Sequence, residues 1–450
     1  MNLYTNVVAN LLFPLHERLK DHSTVSVRQQ MEQSQWWPEK KLRELQIQRL
    51  RALLLHTGQH VPYYRDLFAQ LAFDPSKVCT LDDLQRLPLL EKADIRTDAE
   101  RFKADDAQGL ARFNTGGSSG QPLIFFIGKQ RISHDVAAKW RATRWWGVDI
   151  GDPEIVIWGS PIEHSRQDRV KQLRDRILRT ELLPAFEMSP LMLDSFIAEI
   201  RRKRPKMMFG YPSALSFIAR HASERGIPLD DLGIKVAFVT SEKLYDEQRS
   251  RIQTAFGCPV ANGYGGRDAG FIAHECPAGG MHLTAEDLIV EIVSPDGRVL
   301  PAGEAGEIVV THLATGDFPF IRYRTGDVGM LDNQQCPCGR GLPLLKEIQG
   351  RTTDFIVAAD GTVMHGLALI YTVRDLPGVE QFKIIQHSRE LVEVLLVAAP
   401  SFDPESCKRI VTDYHKRLGD SVTVQIRIVD RIEPEKSGKY RYVVSKLRGD

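Results

Sequence analysis

The sequence has no apolar run long enough to cross a membrane. A spanning helix needs about 20 apolar residues, and the longest early candidate, VVANLLFPL, is interrupted by Asn10 and Pro14. The same segment has no basic leader and no small-residue cleavage site, so we predict no signal peptide. We therefore expect a cytoplasmic protein without a transmembrane segment.

Charge of either sign is not in excess. Lysines and arginines number 59 against 58 aspartates and glutamates, which leaves a formal net charge of +1. Nucleic-acid-binding proteins usually show a clear basic excess, so nucleic acid is not an expected partner. The composition, 42% hydrophobic and 26% charged, is that of an ordinary globular protein. Expected partners are small molecules or proteins, and the oligomeric state stays open.

Cysteine is scarce, and the chain lacks internal repeats and low-complexity segments. Six cysteines in 450 residues make no disulfide framework, so their spacing is the informative feature. The chain is also longer than the roughly 250 to 300 residues beyond which single cores seldom grow. We expect at least two domains.

The apolar pattern changes three times along the chain. Residues 1–100 are predicted to be helical, with Ile47, Leu50 and Leu54 at helical spacing and a break at Val61 and Pro62. Short apolar runs (LIFFI, EIVIW, MMFGY, VAFVT) then alternate with amphipathic stretches, which is typical of an α/β layered domain. Strand-like alternation follows in DLIVEIV and GEIVVTHL, and a small mixed pattern ends the chain.

The predicted fold class is therefore α/β. It combines a multi-layered N-terminal α/β domain, which carries a β-rich subdomain, with a small α+β C-terminal domain. The predicted boundaries place the helical N-terminal segment of the large domain at 1–100, the rest of the large domain at 101–350 and the small domain at 351–450.

The stretch NTGGSSGQP at residues 114–122 concentrates glycines and hydroxyls directly before LIFFI. Glycines let successive backbone N–H groups turn toward an anion, and hydroxyls add donors, which together suit a phosphate. The string is not a Walker A motif, because Gly116 and Gly120 are too close and Gln121 stands where a lysine would be expected. From these residues alone, a flexible Gly/Ser hairpin is an equally good interpretation.

Four residues have the chemistry of a structural zinc site. Cys336 and Cys338 form C-x-C in a Gly/Pro turn, and Cys276 precedes His282 in ECPAGGMH. Three thiolates and an imidazole can close a tetrahedral Zn²⁺ site with no open ligand position. The spacing is less standard than paired C-x₂-C knuckles and does not decide the question. The cysteines that stand alone are predicted to be packed thiols: Cys79, Cys258 and Cys407.

Five further strings follow the glycine-rich loop in a fixed order: NGYGGRDAGF (262–271), GEAGEIVVT (303–311), RYRTGD (322–327), GRTTDFI (350–356) and EKSGKYR (435–441). With NTGGSSGQP, they resemble the signature motifs of the adenylate-forming superfamily of acyl-CoA synthetases, peptide-synthetase adenylation domains and luciferases. The resemblance runs from about residue 40 to the end. The strings PYYRDLF, GYPSAL and CPCGRGLP resemble the phenylacetate-CoA ligase family, and in particular its branch linked to capsular and extracellular polysaccharide synthesis.

This resemblance implies an adenylate-forming enzyme fold and a two-step reaction. A carboxylic acid, by family default an aryl acid, would attack the α-phosphate of ATP to give an acyl-adenylate and pyrophosphate. Coenzyme A would then displace AMP. Two alternatives stay open: transfer of the acyl group to an amine or a sugar precursor, and a catalytically silent nucleotide-binding scaffold. The scaffold is suggested by departures from the family pattern at Gln121, Asp268 and Thr353.

The resemblance also implies nucleotide-binding roles. The loop residues would cradle the triphosphate: Thr115, Gly116, Gly117, Ser118, Ser119 and Gly120. Asp327 would accept both ribose hydroxyls, and Arg351 would also reach the ribose. The residues expected along the adenine and acyl pocket are Ser241, Glu242, Tyr264 and Gly265.

Two residues are expected to act in catalysis. Asp268 stands where the superfamily usually has a glutamate that binds Mg²⁺, and its shorter side chain favours a contact through water. Lys439 matches the lysine that bridges the acyl carboxylate and the α-phosphate in the first transition state. Because Lys439 lies in the C-terminal domain, that domain would be mobile. Thr353 replaces the usual pivot residue, which puts the second step in doubt.

Strings like the ECPAGGMH and CPCG segments recur in the resembling branch, which favours zinc.

Overall fold

The computed structural model of the chain describes residues 2–115, 123–158, 169–185, 187–348, 355–374, 376–432 and 442–447. The chain divides into two compact units. The first comprises Met1–Thr115, Leu123–Asp152 and Ala261–Gly350, and the second comprises Gly116–Pro122, Pro153–Val260 and Arg351–Asp450. Within the described ranges, the helices are all too short or too polar to span a bilayer.

The first unit begins with helices, as the spacing of residues 1–100 predicts. Leu50 and Leu54 are fully buried in the longest one, which ends at His60 because Pro62 starts the next helix at its first position. The helices are α1 (Leu3–Val7), α2 (Phe13–Leu19), α3 (Thr24–Ser34), α4 (Glu39–His60), α5 (Pro62–Gln70), α6 (Lys92–Thr97) and α7 (Lys129–Trp145), with a π-helical turn at Val8–Leu12 and short 3₁₀ turns at Pro75–Lys77, Leu81–Arg86 and Ala99–Phe102.

An antiparallel sheet forms the rest of the first unit. Its strands are β8 (Val260–Gly266), β9 (Gly270–Glu275), β10 (Met281–Leu283), β11 (Leu288–Val293), β12 (Ala305–His312), β13 (Tyr323–Asp332) and β14 (Leu344–Ile348). They lie in the order β11-β12-β13-β14-β10-β9-β8, and every pair is antiparallel. A separate hairpin joins β1 (Ala111–Asn114) to β2 (Ile124–Ile127). This is the β-rich region that the alternating sequence pattern predicts.

The second unit contains a parallel sheet in the order β7-β6-β3-β4. The strands and helices that build it alternate along the chain: β3 (Glu154–Trp158), α8 (Arg169–Leu178), β4 (Thr180–Pro184), α9 (Pro190–Lys203), β6 (Met207–Gly210), α10 (Pro212–Glu224), a 3₁₀ turn (Asp230–Leu232), β7 (Val236–Thr240) and α11 (Asp246–Phe256). Every residue of β7 is buried, which explains why its sequence, VAFVT, has no polar alternation.

The C-terminal part of the second unit is α+β. Its elements are β15 (Phe355–Val357), β16 (Val363–His365), α12 (Leu367–Arg374), β17 (Val379–Ser388), β18 (Leu391–Ala398), α13 (Glu405–Leu418), β19 (Thr423–Ile428) and β20 (Val443–Ser445). Four strands lie in the order β19-β18-β17-β20, and β16 pairs both with β15 and with the short β5 (Glu187–Met188). The predicted fold class is confirmed. Independent movement of residues 351–450 stays a prediction.

Candidate functional site

Several of the predicted nucleotide and catalytic residues lie outside the described part of the chain, so their roles stay predictions: Gly116, Gly117, Ser118, Ser119, Gly120, Gln121, Arg351, Thr353 and Lys439. Thr115 is described and closes the end of the β1–β2 hairpin. Its backbone N–H donates to the Leu123 carbonyl and its hydroxyl accepts the Leu123 N–H, both at 3.0 Å. The hairpin thus fixes the two ends of the glycine-rich loop close to each other.

Asp327 and Tyr264 meet within the first unit. The Tyr264 hydroxyl donates to Asp327 Oδ2 over 3.0 Å. Asp327 sits in RYRTGD on β13, where Gly326 takes a left-handed φ of 78° and the pairing with β12 is irregular. Its backbone N–H donates to the Thr325 hydroxyl. The irregular strand therefore places a half-buried carboxylate, oriented by a tyrosine, at the position where the motif predicts a ribose ligand.

The glycines beside Tyr264 are required by close backbone contacts. A Cβ on Gly265 would lie 2.2 Å from the Gly270 carbonyl oxygen, and one on Gly266 would lie 2.7 Å from Asp268 Oδ1. The β8–β9 pairing shifts register between Tyr264 and Gly265. Gly265 thus permits the close backbone contact of this bulge, and the Asp268 side chain lies against Gly266.

Asp268 lies between a tyrosine and a lysine. The Tyr323 hydroxyl donates to Asp268 Oδ2 at 2.6 Å, and Lys92 Nζ lies 3.8 Å from the same oxygen. The other carboxylate oxygen accepts the Ala269 N–H at 3.1 Å. Three contacts therefore fix the position of the Asp268 carboxylate. A cation that bound this carboxylate would lie near the positively charged Lys92 ammonium.

A buried charge network supports the loop that carries Asp268. Arg131 donates to the Asp268 carbonyl oxygen at 3.4 Å and pairs with Asp135 at 2.8 Å. Although burial alone would raise the pKa of Asp135, the charge of Arg131 and the hydrogen bond from His312 hold it below its usual value. This ion pair is structural, since it fixes the backbone behind Asp268.

Ser241 and Glu242 are described in the second unit, directly after β7. Ser241 takes a left-handed φ of 72°, an unfavourable conformation for a non-glycine residue that is often found at functional sites. Glu242 accepts hydrogen bonds from the hydroxyl of Ser213 and, at 3.4 Å, from its backbone N–H. Ser213 stands in the first turn of α10, so Glu242 ties the end of β7 to the start of that helix.

The four predicted zinc ligands come together in the first unit. One ligand atom from each of Cys276, His282, Cys336 and Cys338 lies within 4.8 Å of all the others. We call this group the thiolate cluster. Cys276 and Cys336 have their sulfurs 3.6 Å apart, and His282 Nε2 is 3.2 Å from the sulfur of Cys338. The donor set matches a closed structural zinc site.

The surroundings of the thiolate cluster also suit a metal. His282 Nδ1 donates to the Leu342 carbonyl at 3.3 Å, which leaves Nε2 as the ligand atom. Burial lowers the pKa of His282 to about 4, so the imidazole is neutral near pH 7. Burial raises the pKa of Cys276 to about 12, so a metal ion would have to displace the proton of this thiol. Although burial would also raise the pKa of Cys338, hydrogen bonds from Arg340 bring it below its usual value.

Close packing holds the two halves of the thiolate cluster together. A Cβ on Gly280 would lie 2.6 Å from the Cys336 sulfur, so only glycine fits there. Trp145 packs edge-on against His282, and the Arg340 guanidinium stacks over the same tryptophan at 4.5 Å.

Of the lone cysteines, Cys258 is buried as predicted. The prediction of a packed thiol is wrong for Cys79, which is exposed because only its neighbour Val78 turns inward.

Comparison with known proteins identifies the family. An AMP-binding enzyme family matches residues 181–315, and a CapK C-terminal domain family matches residues 356–446. Protein CapK of Staphylococcus aureus is 23% identical over 416 residues, covering 90% of this chain and 89% of that protein. Phenylacetate-coenzyme A ligase of Thermus thermophilus is 26% identical over 340 residues, covering 71% and 72%. These matches support the adenylate-forming superfamily that the ordered motifs predict.

The fold agrees with this assignment. A crystal structure of 2-hydroxyisobutyryl-CoA ligase, in complex with its acyl-AMP and CoA, has a TM-score of 0.65 at 21% identity and covers 92% of this chain and 91% of its own. Within the superfamily, this adenylate-forming chain is similar to the phenylacetate-CoA ligases. The family prediction made from ordered motifs is confirmed.

Three residues that contact predicted site residues were not assigned a role from the sequence: Lys92 and Tyr323 in the first unit, and Ser213 in the second. Tyr323 and Ser213 lie inside quoted motifs, so their positions carried a signal. Lys92 carried none, because it lies far from Asp268 in sequence. Leu90 forms a parallel bridge with Tyr323, and this single bridge brings Lys92 to the carboxylate that Tyr323 contacts.

Proposed function

We propose that this adenylate-forming enzyme is an ATP-dependent, AMP-forming carboxylate ligase that passes an acyl-adenylate to coenzyme A, with an aryl acid as the substrate class. The observation that carries the proposal is a pair of contacts between β13 and the β8–β9 segment: the Tyr264 hydroxyl donates to Asp327, and the Tyr323 hydroxyl donates to Asp268. Of these residues, Asp327 and Asp268 stand at the motif positions that the resemblance assigns to ribose and to Mg²⁺. We call these four residues and Lys92 the carboxylate cluster.

Each member of the carboxylate cluster has a defined task in the proposed first step. Asp327 accepts the ribose hydroxyls, and the Tyr264 hydroxyl fixes the orientation of its carboxylate. Asp268 would hold Mg²⁺ through water, since Tyr323 and Lys92 already approach its Oδ2. When bound, Mg²⁺ neutralises phosphate charge. Lys439 stabilises the negative charge that develops between the acyl carboxylate and the α-phosphate.

The acceptor of the second step has a specific alternative. The chain is similar over most of its length to protein CapK, and its C-terminal part matches the CapK C-terminal domain. These matches favour transfer of the acyl group to an amine or a sugar precursor in polysaccharide synthesis as the second candidate. Thr353, which replaces the family's pivot residue, is consistent with a changed second step.

We also propose that the thiolate cluster holds a structural zinc ion. Its four donors form a closed set, so no position is left for a reactive water. Zinc would tie the turn between β9 and β10 to the turn before β14. The ion takes no part in adenylation.

Pyrophosphate exchange with a panel of carboxylic acids tests the first step. We expect exchange with at least one aryl acid, loss of exchange in Lys439→Ala, and ATP binding kept in that variant, since a lysine acting in the transition state contributes little to the ground state. ATP binding without exchange for every acid would instead support the nucleotide-binding scaffold. Undiminished exchange in Lys439→Ala would refute its assigned role.

The second step is tested by AMP release with different acceptors. With the active acid and ATP present, coenzyme A should accelerate AMP release and yield a thioester detectable by mass spectrometry. Acceleration by amines or amino sugars, without any effect of coenzyme A, would replace the thiol acceptor by the alternative while leaving adenylation intact.

A further inference from the structure

A second group of metal-ligating side chains lies in the first unit, formed by His56, His60 and Asp106. One ligand atom of each lies within 4.8 Å of the other two. We propose that these residues form a binding site for a divalent transition-metal ion, of which Zn²⁺ is the representative. We call it the imidazole site. It shares no residue with the thiolate cluster or the carboxylate cluster.

The distances within the imidazole site suit a shared ion. His56 Nε2 lies 3.9 Å from Asp106 Oδ1, and His60 Nδ1 lies 3.7 Å from Asp106 Oδ2. Both distances exceed those of hydrogen bonds. Two nitrogen or oxygen ligands, each about 2.0 to 2.1 Å from a tetrahedral ion, are about 3.3 Å apart. The two histidine–carboxylate distances would therefore have to shorten by well under 1 Å. The two imidazole rings lie 4.8 Å apart, one turn from each other on α4.

Backbone hydrogen bonds fix the segment that carries Asp106. The Asp105 N–H donates to the His60 carbonyl at 2.7 Å, and the Ala104 N–H donates to the Asp317 carbonyl at 3.0 Å. A further bond, from the Ala107 N–H to the Ala104 carbonyl at 3.1 Å, closes the turn. The turn is therefore held against the end of α4, so the carboxylate faces the two imidazoles without help from an ion.

The adjacent loop leaves room and adds negative charge. A Cβ on Gly316 would lie 3.1 Å from the His56 ring, so glycine there gives the imidazole space. Asp317 follows directly. Its partial burial and the nearby Asp106 raise its pKa, while His56 lowers it. Two carboxylates close enough to repel each other, beside two imidazoles, form a site that a cation would stabilise.

The ligand set selects the kind of ion. Two imidazoles and one carboxylate favour zinc, nickel, cobalt or copper over Mg²⁺ and Ca²⁺, which prefer oxygen ligands. The side chains of His56, His60 and Asp106 are 34%, 39% and 51% exposed, so an ion can enter from solvent. Three protein ligands leave a fourth position for water or an added anion. This differs from the closed thiolate cluster.

Equilibrium dialysis of the full chain against buffered Zn²⁺ at pH 7.5 tests the site. We expect His56→Gln and His60→Gln each to weaken binding of one ion by roughly 100-fold, because each removes one of three ligands. His387→Gln is the matched control. That histidine also lies beside a carboxylate, 3.0 Å from Glu393, and its side chain is 30% exposed, but it belongs to neither metal cluster. It should bind as the parent protein does.

Cobalt separates the two kinds of site. Co²⁺ bound to the thiolate cluster gives a sulfur-to-metal charge-transfer band, whereas Co²⁺ on imidazoles and a carboxylate gives only weak visible bands. The His56→Gln and His60→Gln variants should keep the charge-transfer band and lose one equivalent of bound cobalt. Unchanged stoichiometry in both variants, or an equal loss in His387→Gln, would overturn the proposal.

Discussion

The thiolate cluster and the carboxylate cluster lie on the same antiparallel sheet but are built in opposite ways. The thiolate cluster is largely buried, and its four ligand atoms face one another. The carboxylate cluster is only partly buried at Asp268 and Asp327, and each carboxylate is oriented by a tyrosine hydroxyl. A closed set of ligands favours permanent binding of one ion. A partly exposed set of charges favours binding that can be reversed in each catalytic cycle.

This contrast predicts that the thiolate cluster controls stability and the carboxylate cluster controls turnover. The largest expected effect is therefore that of Cys336→Ser, which removes a buried, proposed zinc ligand. With free zinc 1,000-fold above the dissociation constant, linkage gives the parent protein about 4 kcal/mol that this variant would lose. Denaturant unfolding with and without a chelator measures the loss.

The matched control for Cys336→Ser is Cys79→Ser, at an exposed cysteine outside the cluster. Its unfolding midpoint should equal that of the parent, with and without chelator. The assignment of stability to the thiolate cluster would be contradicted if Cys336→Ser kept the stability of the parent but lost adenylation at a temperature where it is folded.

The next effect in size is expected for Asp268→Asn. It keeps a hydrogen-bond acceptor for Tyr323 but removes the charge proposed to hold Mg²⁺. We expect pyrophosphate exchange to slow by roughly 100-fold, which corresponds to about 2.7 kcal/mol. Exchange rates across a Mg²⁺ titration measure this, and the free energy of unfolding should change little. A loss of stability with an unchanged rate would assign Asp268 to the structure rather than to the reaction.

A smaller effect is expected for Lys92→Met. The partly buried ammonium of Lys92 lies 3.8 Å from Asp268 Oδ2, so its removal should alter the charge balance beside the proposed Mg²⁺. We expect adenylation to slow by about fivefold, or about 1 kcal/mol. Lys77→Met is the control, because Lys77 pairs with Asp74 at a similar 3.6 Å but on the surface. Equal rates for both variants would remove Lys92 from the site.

The smallest effect is expected for Tyr264→Phe. It removes the hydroxyl that donates to Asp327, a contribution near the low end of the usual range, about 0.5 kcal/mol, because both side chains are only partly buried. We expect the KM for ATP to rise roughly 2-fold while kcat stays near that of the parent. Tyr414→Phe is the control, since its hydroxyl donates to the buried Leu369 carbonyl. That variant should lower stability without changing the KM.

Much of the fold could be predicted from local patterns. The break at Val61 and Pro62 correctly predicted the end of α4. Short apolar runs that alternate with amphipathic stretches predicted an α/β layered region, and VAFVT forms strand β7 there. These predictions succeeded because periodicity and proline act over a few residues. The exposed Cys79 shows the limit, since the sequence pattern did not indicate which face its segment buries.

For the candidate sites, too, the sequence predicted the chemistry of the residues, whereas the tertiary structure decided their geometry. The sequence by itself determined the chemistry of the thiolate cluster, because thiolates and an imidazole in turn-rich segments already indicate a zinc donor set. The four ligands of the thiolate cluster come together because β10 pairs with β14 at His282 and Leu344. Register between strands distant in sequence depends on packing of the whole sheet, which no local pattern encodes.

The charge environment of the two predicted site carboxylates was also decided by tertiary structure. Motif order in the sequence identified Asp268 and Asp327 and, with them, the adenylate-forming superfamily. Only the bridge between Leu90 and Tyr323 brought Lys92 to Asp268, and only the turn after residue 103 brought Asp106 to the histidines of α4. Electrostatic interactions depend on distance in space, and a linear sequence specifies residue type and order but not that distance.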